Sequence, residues 1–423
     1  MTTEIALPAG QALVPVDDAH VENPASWAWP SALSDAEATR RLAYLPILSD
    51  ARLTSPSKEE RIAAQSMVSP YAPTSRALRA FQEVLAKGRY SLSLRNPEDR
   101  RYRASLVSMA GSLSGRRTAL VPPSPIRDTE RTTGIVLAGV SGMGRHSLLR
   151  RTVGELQVTA RPVPRLSKES LILSQIPVIF LEWPPSGDLE AFHLNFRALI
   201  DATVDTPFFD EAIQRNFKKA HLNPSTRSVA MLVSAGAIII DGVNTNNYFT
   251  NRSPELLAYL ANFQDYTGIP IVFSCTYPVF IDIARMPDVG SRLGADAPYK
   301  FDYLEYDMEW CLLVETYWNQ CSHCADFAVP EWMPKQLWDR TFGSLRFLNI
   351  VMRRLHLALQ DVEFEVHEIS ASLVNEIADA GLLSFKQLFG ILSRINKSES
   401  WQTSEQERTT WGDYLPLECF TQL

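Results

Sequence analysis

Short apolar runs alternate with segments of helical periodicity through the middle of the chain. The apolar runs occupy 134–140, 176–183, 235–243 and 269–276. Short continuous runs of this kind are typical of strands that are buried on both faces. Between them, 146–156 and 254–266 repeat apolar residues with the spacing of a helix. Buried strands that alternate with helices predict an α/β fold in which helices flank a parallel sheet.

The pattern changes towards both ends of the chain. Beyond the sheet, apolar residues recur with helical spacing in 308–320, 335–360, 369–381 and 384–395. Residues 1–60 are rich in proline, alanine, serine and aspartate, which is typical of a poorly ordered segment. The predicted organisation is a flexible arm (1–70) with one short helix near 35–43, a helical and basic extension (71–128), the α/β core (129–302), a helical lid (303–397) and a C-terminal tail (398–423).

The composition narrows the class of protein. With 45% hydrophobic and 21% charged residues in a length of 423, the chain is neither disordered nor fibrous. Its net charge of −7 gives no general attraction to nucleic acid, so DNA would have to bind a local basic patch. No apolar run approaches the roughly 20 residues of a bilayer span, and no signal-peptide pattern is present, which predicts a cytoplasmic protein. Five scattered cysteines predict no disulfide framework, and Cys321-Ser-His323-Cys324 has no second ligand pair for zinc nearby.

A glycine-rich turn follows the first apolar run and precedes a helix. Glycines let backbone N–H groups point at an anion, and the helix N-terminus adds the positive end of its dipole. This order of strand, turn and helix predicts a phosphate-binding loop, with a tight turn that merely packs as the alternative. The candidate nucleotide-binding residues are Gly139, Ser141, Gly142, Gly144, Arg145, His146 and Ser147.

The loop departs from the usual pattern G-x-x-x-x-G-K-[ST] at its chemical positions. Arg145 stands where the lysine belongs, and His146 stands where the Mg²⁺-binding hydroxyl belongs. Ser147 lies one residue late, about 100° further around the helix. Arginine is a planar fork rather than a compact ammonium, and imidazole is a poor ligand for Mg²⁺. These changes predict that binding of ATP and Mg²⁺ is weak or lost.

The third and fourth apolar runs carry the other candidate catalytic residues. Asp241 follows three isoleucines and is a candidate Mg²⁺-side residue, or else a strand-end carboxylate that caps the next turn. Gly242 occupies the position of the acid that activates water, so hydrolysis is predicted to be weak or absent. Thr276 is a candidate sensor of the γ-phosphate, or else a threonine that satisfies its own backbone.

Three arginines are candidates for supplying charge to a nucleotide. Arg285 and Arg292 are candidates for donation to a neighbouring subunit's nucleotide, and Arg346 is a candidate for reaching the nucleotide from the lid. Solvation at the surface is the alternative for each of them.

A helix is predicted to begin at Thr74 or Ser75 and to end before Gly88, and a basic stretch follows it. The arginines of this stretch are interleaved with Tyr90 and Tyr102, which suits contact with DNA phosphates together with stacking. The alternative is a solvated loop that faces a protein partner. The candidate DNA-binding residues are Arg89, Arg95, Arg100, Arg101, Arg103, Arg116 and Arg117.

The order of these segments resembles the AAA+ transposition regulators of the TniB/TnsC type. The similarity covers roughly residues 70–390 and includes YAPTSRALRAF…SLRNP, the loop AGVSGMGRHSLLRR, AIIIDGVN, IPIVFSCTYP and the lid segments YDMEW…VETYW and GSLRFLNIVMRRLHLAL. The most distinctive part is 176–201, because its apolar strand, proline–glycine turn and FHLNF helix are not general features of phosphate-loop proteins.

The resemblance implies an ATP-dependent, DNA-binding oligomer that recruits and licenses a transposase. Because Arg145, His146 and Gly242 depart from the family's pattern, the expectation becomes a regulator or adaptor with little or no nucleotide turnover. Its expected partners are DNA, the transposase or target-selection protein of the same element, and further subunits. Two alternatives stay open: a working transposition or DNA-remodelling ATPase whose acid comes from elsewhere, and an NTPase-like scaffold of a defence or signalling system without DNA binding.

Overall fold

The computed structural model of the protein describes residues 23, 25–26, 29–45, 70–113, 132–156, 161–162, 174–208, 219–320, 327–359, 369–397 and 402–421. These residues form two compact units. One unit contains the described residues of 1–38, 78–138 and 148–299, and the other contains those of 39–77, 139–147 and 300–423. Both units are therefore assembled from segments that are separated along the chain.

Each of the four predicted apolar runs contains one strand. The strands are β1 (Ile135–Gly139), β2 (Arg161–Pro162), β3 (Ser174–Gln175), β4 (Val178–Glu182), β5 (Ala237–Val243), β6 (Ile271–Cys275) and β7 (Tyr299–Phe301). Five of them form one sheet in the order β4-β5-β6-β1-β7, and β2 pairs with β3 in a separate antiparallel ribbon. The pairs β4–β5, β5–β6 and β1–β6 are parallel. The predicted α/β fold with a parallel sheet is confirmed.

Helices flank the sheet and make up the part of the chain that follows it. The helices up to the last strand are α1 (Asp35–Leu42), α2 (Ser75–Leu94), α3 (Arg100–Leu113), α4 (Arg145–Leu156), α5 (Leu189–Val204), α6 (Lys219–Leu232), α7 (Thr245–Tyr248), α8 (Ser253–Thr267), α9 (Tyr277–Ala284) and α10 (Pro287–Leu293). Those after it are α11 (Met308–Trp318), α12 (Met333–Thr341), α13 (Leu345–Leu359), α14 (Ala371–Gly381), α15 (Lys386–Lys397), α16 (Glu405–Trp411) and α17 (Glu418–Thr421). No helix within the described ranges is long and apolar enough to cross a membrane.

The predicted end of the second helix at Gly88 is wrong, because α2 continues to Leu94. Gly88 lies inside the helix, where a Cβ atom would come within 2.0 Å of the Trp29 ring. The glycine therefore permits close packing of an indole rather than a helix end. Trp29 itself is 1% exposed, and its Nε1 donates to the Leu85 carbonyl at 2.7 Å.

The burial of Trp29 also shows that 1–70 is not a flexible arm throughout, contrary to the sequence prediction. A buried indole fixes this part of the chain to the unit that contains α2, because large aromatic side chains bury much apolar area. The predicted short helix near 35–43 is present as α1. Residues 1–22 and 46–69 lie outside the described residues.

The predicted C-terminal tail is folded over 402–421. It contains α16, a single 3₁₀ turn at Gly412–Tyr414 and α17. Leu415 has no exposed surface, and Cys419 is 4% exposed. A few apolar side chains, widely spaced among polar ones, therefore hold this segment against its unit.

Candidate functional site

The candidate phosphate loop joins β1 to α4, as the sequence predicts. Gly142 and Gly144 have φ angles of +89° and +81°, a region that residues with a Cβ atom rarely adopt. These two glycines turn the chain from the strand into the first turn of the helix. The strand, loop and helix thus have the local geometry of a phosphate-binding loop.

Arg145, the first residue of α4, turns back onto the loop. Its Nη1 donates to the carbonyl oxygen of Gly139 at 2.6 Å, and the side chain is 9% exposed. In an intact loop, the lysine at this position reaches the terminal phosphates. Here the guanidinium bonds to a backbone oxygen of its own loop. His146, at the position of the usual Mg²⁺-binding hydroxyl, is exposed and has no hydroxyl, and Ser147 is half-buried.

Arg346, in the first turn of α13, covers the glycine turn. Its backbone N–H donates to the carbonyl of Gly142 at 3.0 Å. A Cβ atom on Gly142 would lie 2.6 Å from the Cβ of Arg346, so glycine is required by packing as well as by its φ angle. The guanidinium donates from Nη1 to the hydroxyl of Tyr414 at 2.7 Å. The structure therefore brings Arg346 to the loop, and its role towards a nucleotide stays a prediction.

The C-terminal segment also contacts the loop. The backbone N–H of Ser141 donates to the carbonyl of Asp413 at 2.7 Å. The next residue, Tyr414, accepts a hydrogen bond on its carbonyl from the Tyr303 hydroxyl at 2.8 Å. Burial raises the pKa of Tyr303 above its ordinary value, so this hydroxyl remains a protonated donor. A backbone amide of the candidate phosphate loop is therefore bonded to the chain's own C-terminal segment.

The end of β5 explains the missing acid in physical terms. The register between β5 and β6 shifts between Ile240 and Val243, because Ile240 pairs with Phe273 and Val243 with Cys275. This is a β-bulge, and Gly242 within it has a φ of +78°. A residue with a Cβ atom, glutamate included, would be strained there. Asp241, the residue before Gly242 in the same bulge, is 3% exposed.

Thr276 follows β6 at the same edge of the sheet. It is 3% exposed, and its backbone N–H donates to the carbonyl of Val243 at 3.1 Å. Its hydroxyl oxygen has no hydrogen-bond partner among the described residues. The alternative that Thr276 satisfies its own backbone is therefore not what the structure shows. Its role as a phosphate sensor stays a prediction.

The two arginines proposed for a neighbouring subunit differ in their surroundings. Arg285 is exposed at the end of α9. Arg292 forms an ion pair with Asp265 at 3.2 Å and donates to the side chain of Asn262 at 3.0 Å. Arg292 would have to leave these two contacts on α8 to reach a nucleotide elsewhere, whereas Arg285 has exposed surface.

Arg95 must be removed from the candidate DNA-binding set. It is 2% exposed, and its guanidinium donates to the Ser91 carbonyl, the Ser91 hydroxyl and the Ala235 carbonyl at 2.5–3.1 Å. Its alternation with tyrosines suggested a surface position, but it lies inside the unit.

The remaining arginines of the basic stretch are more accessible. Arg100 and Arg101 are exposed at the start of α3, and Arg89 is half-buried. Arg103 forms an ion pair with Glu98 at 3.0 Å. Arg116 and Arg117 lie outside the described residues, as does Cys321-Ser-His323-Cys324. The accessible positive charge of the described stretch is therefore concentrated at Arg100 and Arg101.

These residues do not fit a magnesium nucleotide bound in the usual way. The basic side chain at the lysine position bonds to Gly139, the position of the Mg²⁺-binding hydroxyl is occupied by an imidazole, and the Ser141 amide is bonded to Asp413. The sequence predicted that Arg145 and His146 replace the usual lysine and hydroxyl, but not that Arg145 bonds to Gly139. It missed the third, because the contact joins residues that are far apart in the chain. The only signal in the sequence was the placement of Trp411, Tyr414 and Leu415 in an otherwise polar segment.

Comparisons with known proteins identify no family. No family model matches the chain, and no curated protein matches it. Solved structures do match, among them the Walker-type ATPase PABY2304 of Pyrococcus abyssi. That similarity has 13% sequence identity and a TM-score of 0.38, and it covers 62% of this chain and 70% of that chain. A likeness of this size concerns general architecture and carries no information about activity.

Proposed function

We propose that the protein is a P-loop regulator or adaptor of DNA transposition that works by assembly with DNA and partner proteins rather than by turnover of ATP. The observation that carries this proposal is the hydrogen bond from Arg145 to Gly139 at 2.6 Å. The side chain that would neutralise phosphate charge is instead bonded within the loop. Transition-state stabilisation in phosphoryl transfer is mainly positioning and electrostatics, so a cation that is bonded to the loop's own backbone and not directed at the phosphates weakens a principal contribution.

The glycine bulge supports the same conclusion independently. A water-activating acid at position 242 would need a backbone conformation that glutamate adopts only with strain. The loop and the strand therefore depart from a hydrolytic site for two separate structural reasons. An adaptor that keeps the α/β framework is consistent with both.

Two observations support DNA and transposition as the setting. The resemblance to TniB/TnsC-type regulators suggests a transposase or target-selection protein and further subunits as partners. Arg100 and Arg101 provide adjacent exposed charges. They lie on α3, whose opposite face is packed through Tyr102, Leu106 and Met109. A firmly attached helix with two outward guanidinium groups is suited to phosphate contacts.

Phosphate release, measured at steady state with and without DNA, tests the proposed lack of turnover. We expect turnover below about 1 per minute, a slow rate for a switch ATPase. Arg145→Ala is the matched variant, and it is expected to leave this background unchanged. A faster rate that Arg145→Ala abolishes would overturn the proposal and favour the working ATPase.

DNA binding is tested by gel shift over a series of salt concentrations. Arg100→Gln together with Arg101→Gln is expected to weaken binding and to lower the slope of log K against log salt by up to about two phosphate contacts. Arg353→Gln together with Arg354→Gln is the matched control, because these two arginines are also adjacent, exposed and helical. The DNA role of this surface would be contradicted if no complex with DNA formed at low salt, or if both double variants lost the same DNA affinity. Either result would favour the scaffold without DNA binding.

Co-purification of the full-length protein with a transposase encoded beside its gene tests the proposed binding of a transposase. We expect a stable complex in the presence of DNA. Transposition that proceeds equally without the protein would contradict a regulatory role.

A further inference from the structure

The segment Gly412–Tyr414, called here the C-terminal cap, contacts the candidate phosphate loop at Ser141 and also contacts Arg346, which covers the loop. The Asp413 carbonyl oxygen accepts from the Ser141 N–H at 2.7 Å. The Tyr414 hydroxyl accepts from Arg346 at 2.7 Å. One backbone amide and one guanidinium thus have oxygen acceptors from the cap, and amides and guanidinium groups are also the donors that bind phosphate.

The cap is held from behind by its own unit. The Tyr414 ring lies 5.9 Å from the Phe385 ring and 6.1 Å from the Trp411 ring. Leu415 is fully buried immediately after the cap. Arg394 on α15 forms an ion pair with Glu407 on α16, which places a second anchor before the cap. The anchors therefore lie on both sides of the cap in sequence.

Two hydrogen bonds of the cap have uncharged acceptor atoms, the Asp413 carbonyl oxygen and the Tyr414 hydroxyl. The Ser141 amide donates to a neutral carbonyl, whereas a polyphosphate oxygen in its place would accept a charge-assisted bond that is roughly twice as strong. The helix N-terminus at Arg145 also favours negative charge over a neutral carbonyl. Asp413 and Tyr414 are half-buried and Arg346 is exposed, so solvent reaches this contact.

We propose that the C-terminal cap is an intramolecular occupant of the phosphate loop, and that docking of the cap and binding of a polyphosphate anion are mutually exclusive. The cap keeps the loop closed in the resting protein. A ligand with several phosphate groups binds only to the fraction of molecules whose cap is displaced. The apparent affinity is then the intrinsic affinity reduced by that fraction. This inference rests on the proposed phosphate-loop origin of the loop and is independent of DNA binding and transposition.

Tyr414→Phe tests the proposal in the full-length chain. It removes the hydroxyl that accepts from Arg346 and keeps the ring that packs on Phe385. Loss of one such hydrogen bond is expected to raise the open fraction on the order of tenfold. Tyr306→Phe is the matched control, because Tyr306 is a 45% exposed tyrosine in the same unit.

The binding probes are inorganic tripolyphosphate and ATP, titrated without Mg²⁺ by calorimetry. We expect tripolyphosphate to bind Tyr414→Phe about tenfold more tightly than it binds the wild type or Tyr306→Phe. If ATP shows the same order of affinities among the three proteins, recognition belongs to the phosphate groups. If Tyr414→Phe binds ATP more tightly but not tripolyphosphate, a site for phosphate groups is contradicted. Equal affinity of the three proteins for tripolyphosphate, or binding by none of them, would overturn the proposal.

Hydrogen exchange of the wild type supplies a second measurement that does not depend on a substitution. Saturating tripolyphosphate is expected to accelerate amide exchange in 402–421, because bound anion and docked cap exclude each other. Unchanged or slower exchange in this segment would overturn the proposal. Neither measurement involves hydrolysis or DNA, so the cap and the adaptor function can fail separately.

Discussion

Substitution of Gly242 tests whether the bulge at the end of β5 prevents a water-activating acid from standing there. Gly242 has a φ of +78°, and a Cβ atom at this position would meet nothing within 4 Å. The cost of Gly242→Ala is therefore conformational strain without a clash. A residue with a Cβ atom pays about 1–2 kcal/mol in the left-handed region. Reduced freedom of the unfolded chain offsets about 0.4–1 kcal/mol of this cost.

Gly390→Ala is the control, because Gly390 is exposed inside α15 and also has open space around its Cβ position. That variant is expected to gain about 0.5–1 kcal/mol, the usual effect of alanine in a helix. Gly242→Ala is expected to lose up to about 1.6 kcal/mol, and Gly242→Asn less, because asparagine tolerates this region. Gly242→Glu is expected to behave as Gly242→Ala and to leave phosphate release unchanged.

Urea unfolding at matched m-values measures these free energies of unfolding. The strain argument would be refuted if Gly242→Ala and Gly390→Ala had the same free energy of unfolding. It would also be refuted if Gly242→Asn were no more stable than Gly242→Ala. Phosphate release restored by Gly242→Glu alone would refute the conclusion that the loop itself is unable to support hydrolysis.

Three further predictions concern the buried groups. Trp29→Ala is expected to lower the free energy of unfolding by about 3–5 kcal/mol in urea unfolding, whereas Trp332→Ala, at a 36% exposed indole, should cost much less. Arg95→Ala is expected to lower the free energy of unfolding by about 2–4 kcal/mol, because it leaves a cavity and an unpaired carbonyl, and to leave the salt slope of DNA binding unchanged. Arg101→Ala is expected to lower the salt slope and to leave the free energy of unfolding nearly unchanged. Burial lowers the pKa of His356 in the folded protein to about 4, whereas the unfolded chain has the ordinary value of about 6.5. As the pH falls below about 6.5 the unfolded chain takes up a proton that the folded protein does not, so the free energy of unfolding decreases. The loss should reach about 2 kcal/mol at pH 5, and His356→Gln should flatten unfolding curves measured between these pH values.

Four strands of the sheet were predictable because each is a short run of β-branched and apolar residues whose burial is local information, whereas the short edge strand β7 (Tyr299–Phe301) is no such run and was not predicted. The two replaced chemical groups were also predictable, because Arg145 stands at a fixed offset from the loop glycines and Gly242 directly follows Asp241 at the end of an apolar run. Other features depend on neighbours that sequence spacing does not reveal. Arg95 has the composition of a surface residue, but its guanidinium bonds to Ala235, 140 positions away. The bulge likewise depends on how two strands pair.

The glycines of the loop also show why a motif alone is weak evidence for a ligand. A Cβ atom on Gly139 would lie 2.4 Å from the Phe301 carbonyl oxygen, and one on Gly142 would lie 2.6 Å from Arg346. Packing within the chain therefore requires glycine at both positions without any bound phosphate. The amide of Ser141 is satisfied by Asp413, so the loop has an internal partner for a donor that would otherwise need an anion or water. A loop held in this way keeps the shape of a phosphate site without a nucleotide. Its glycines are evidence of a fold, and only the groups at Arg145, His146 and Gly242 bear on whether the fold still performs the chemistry.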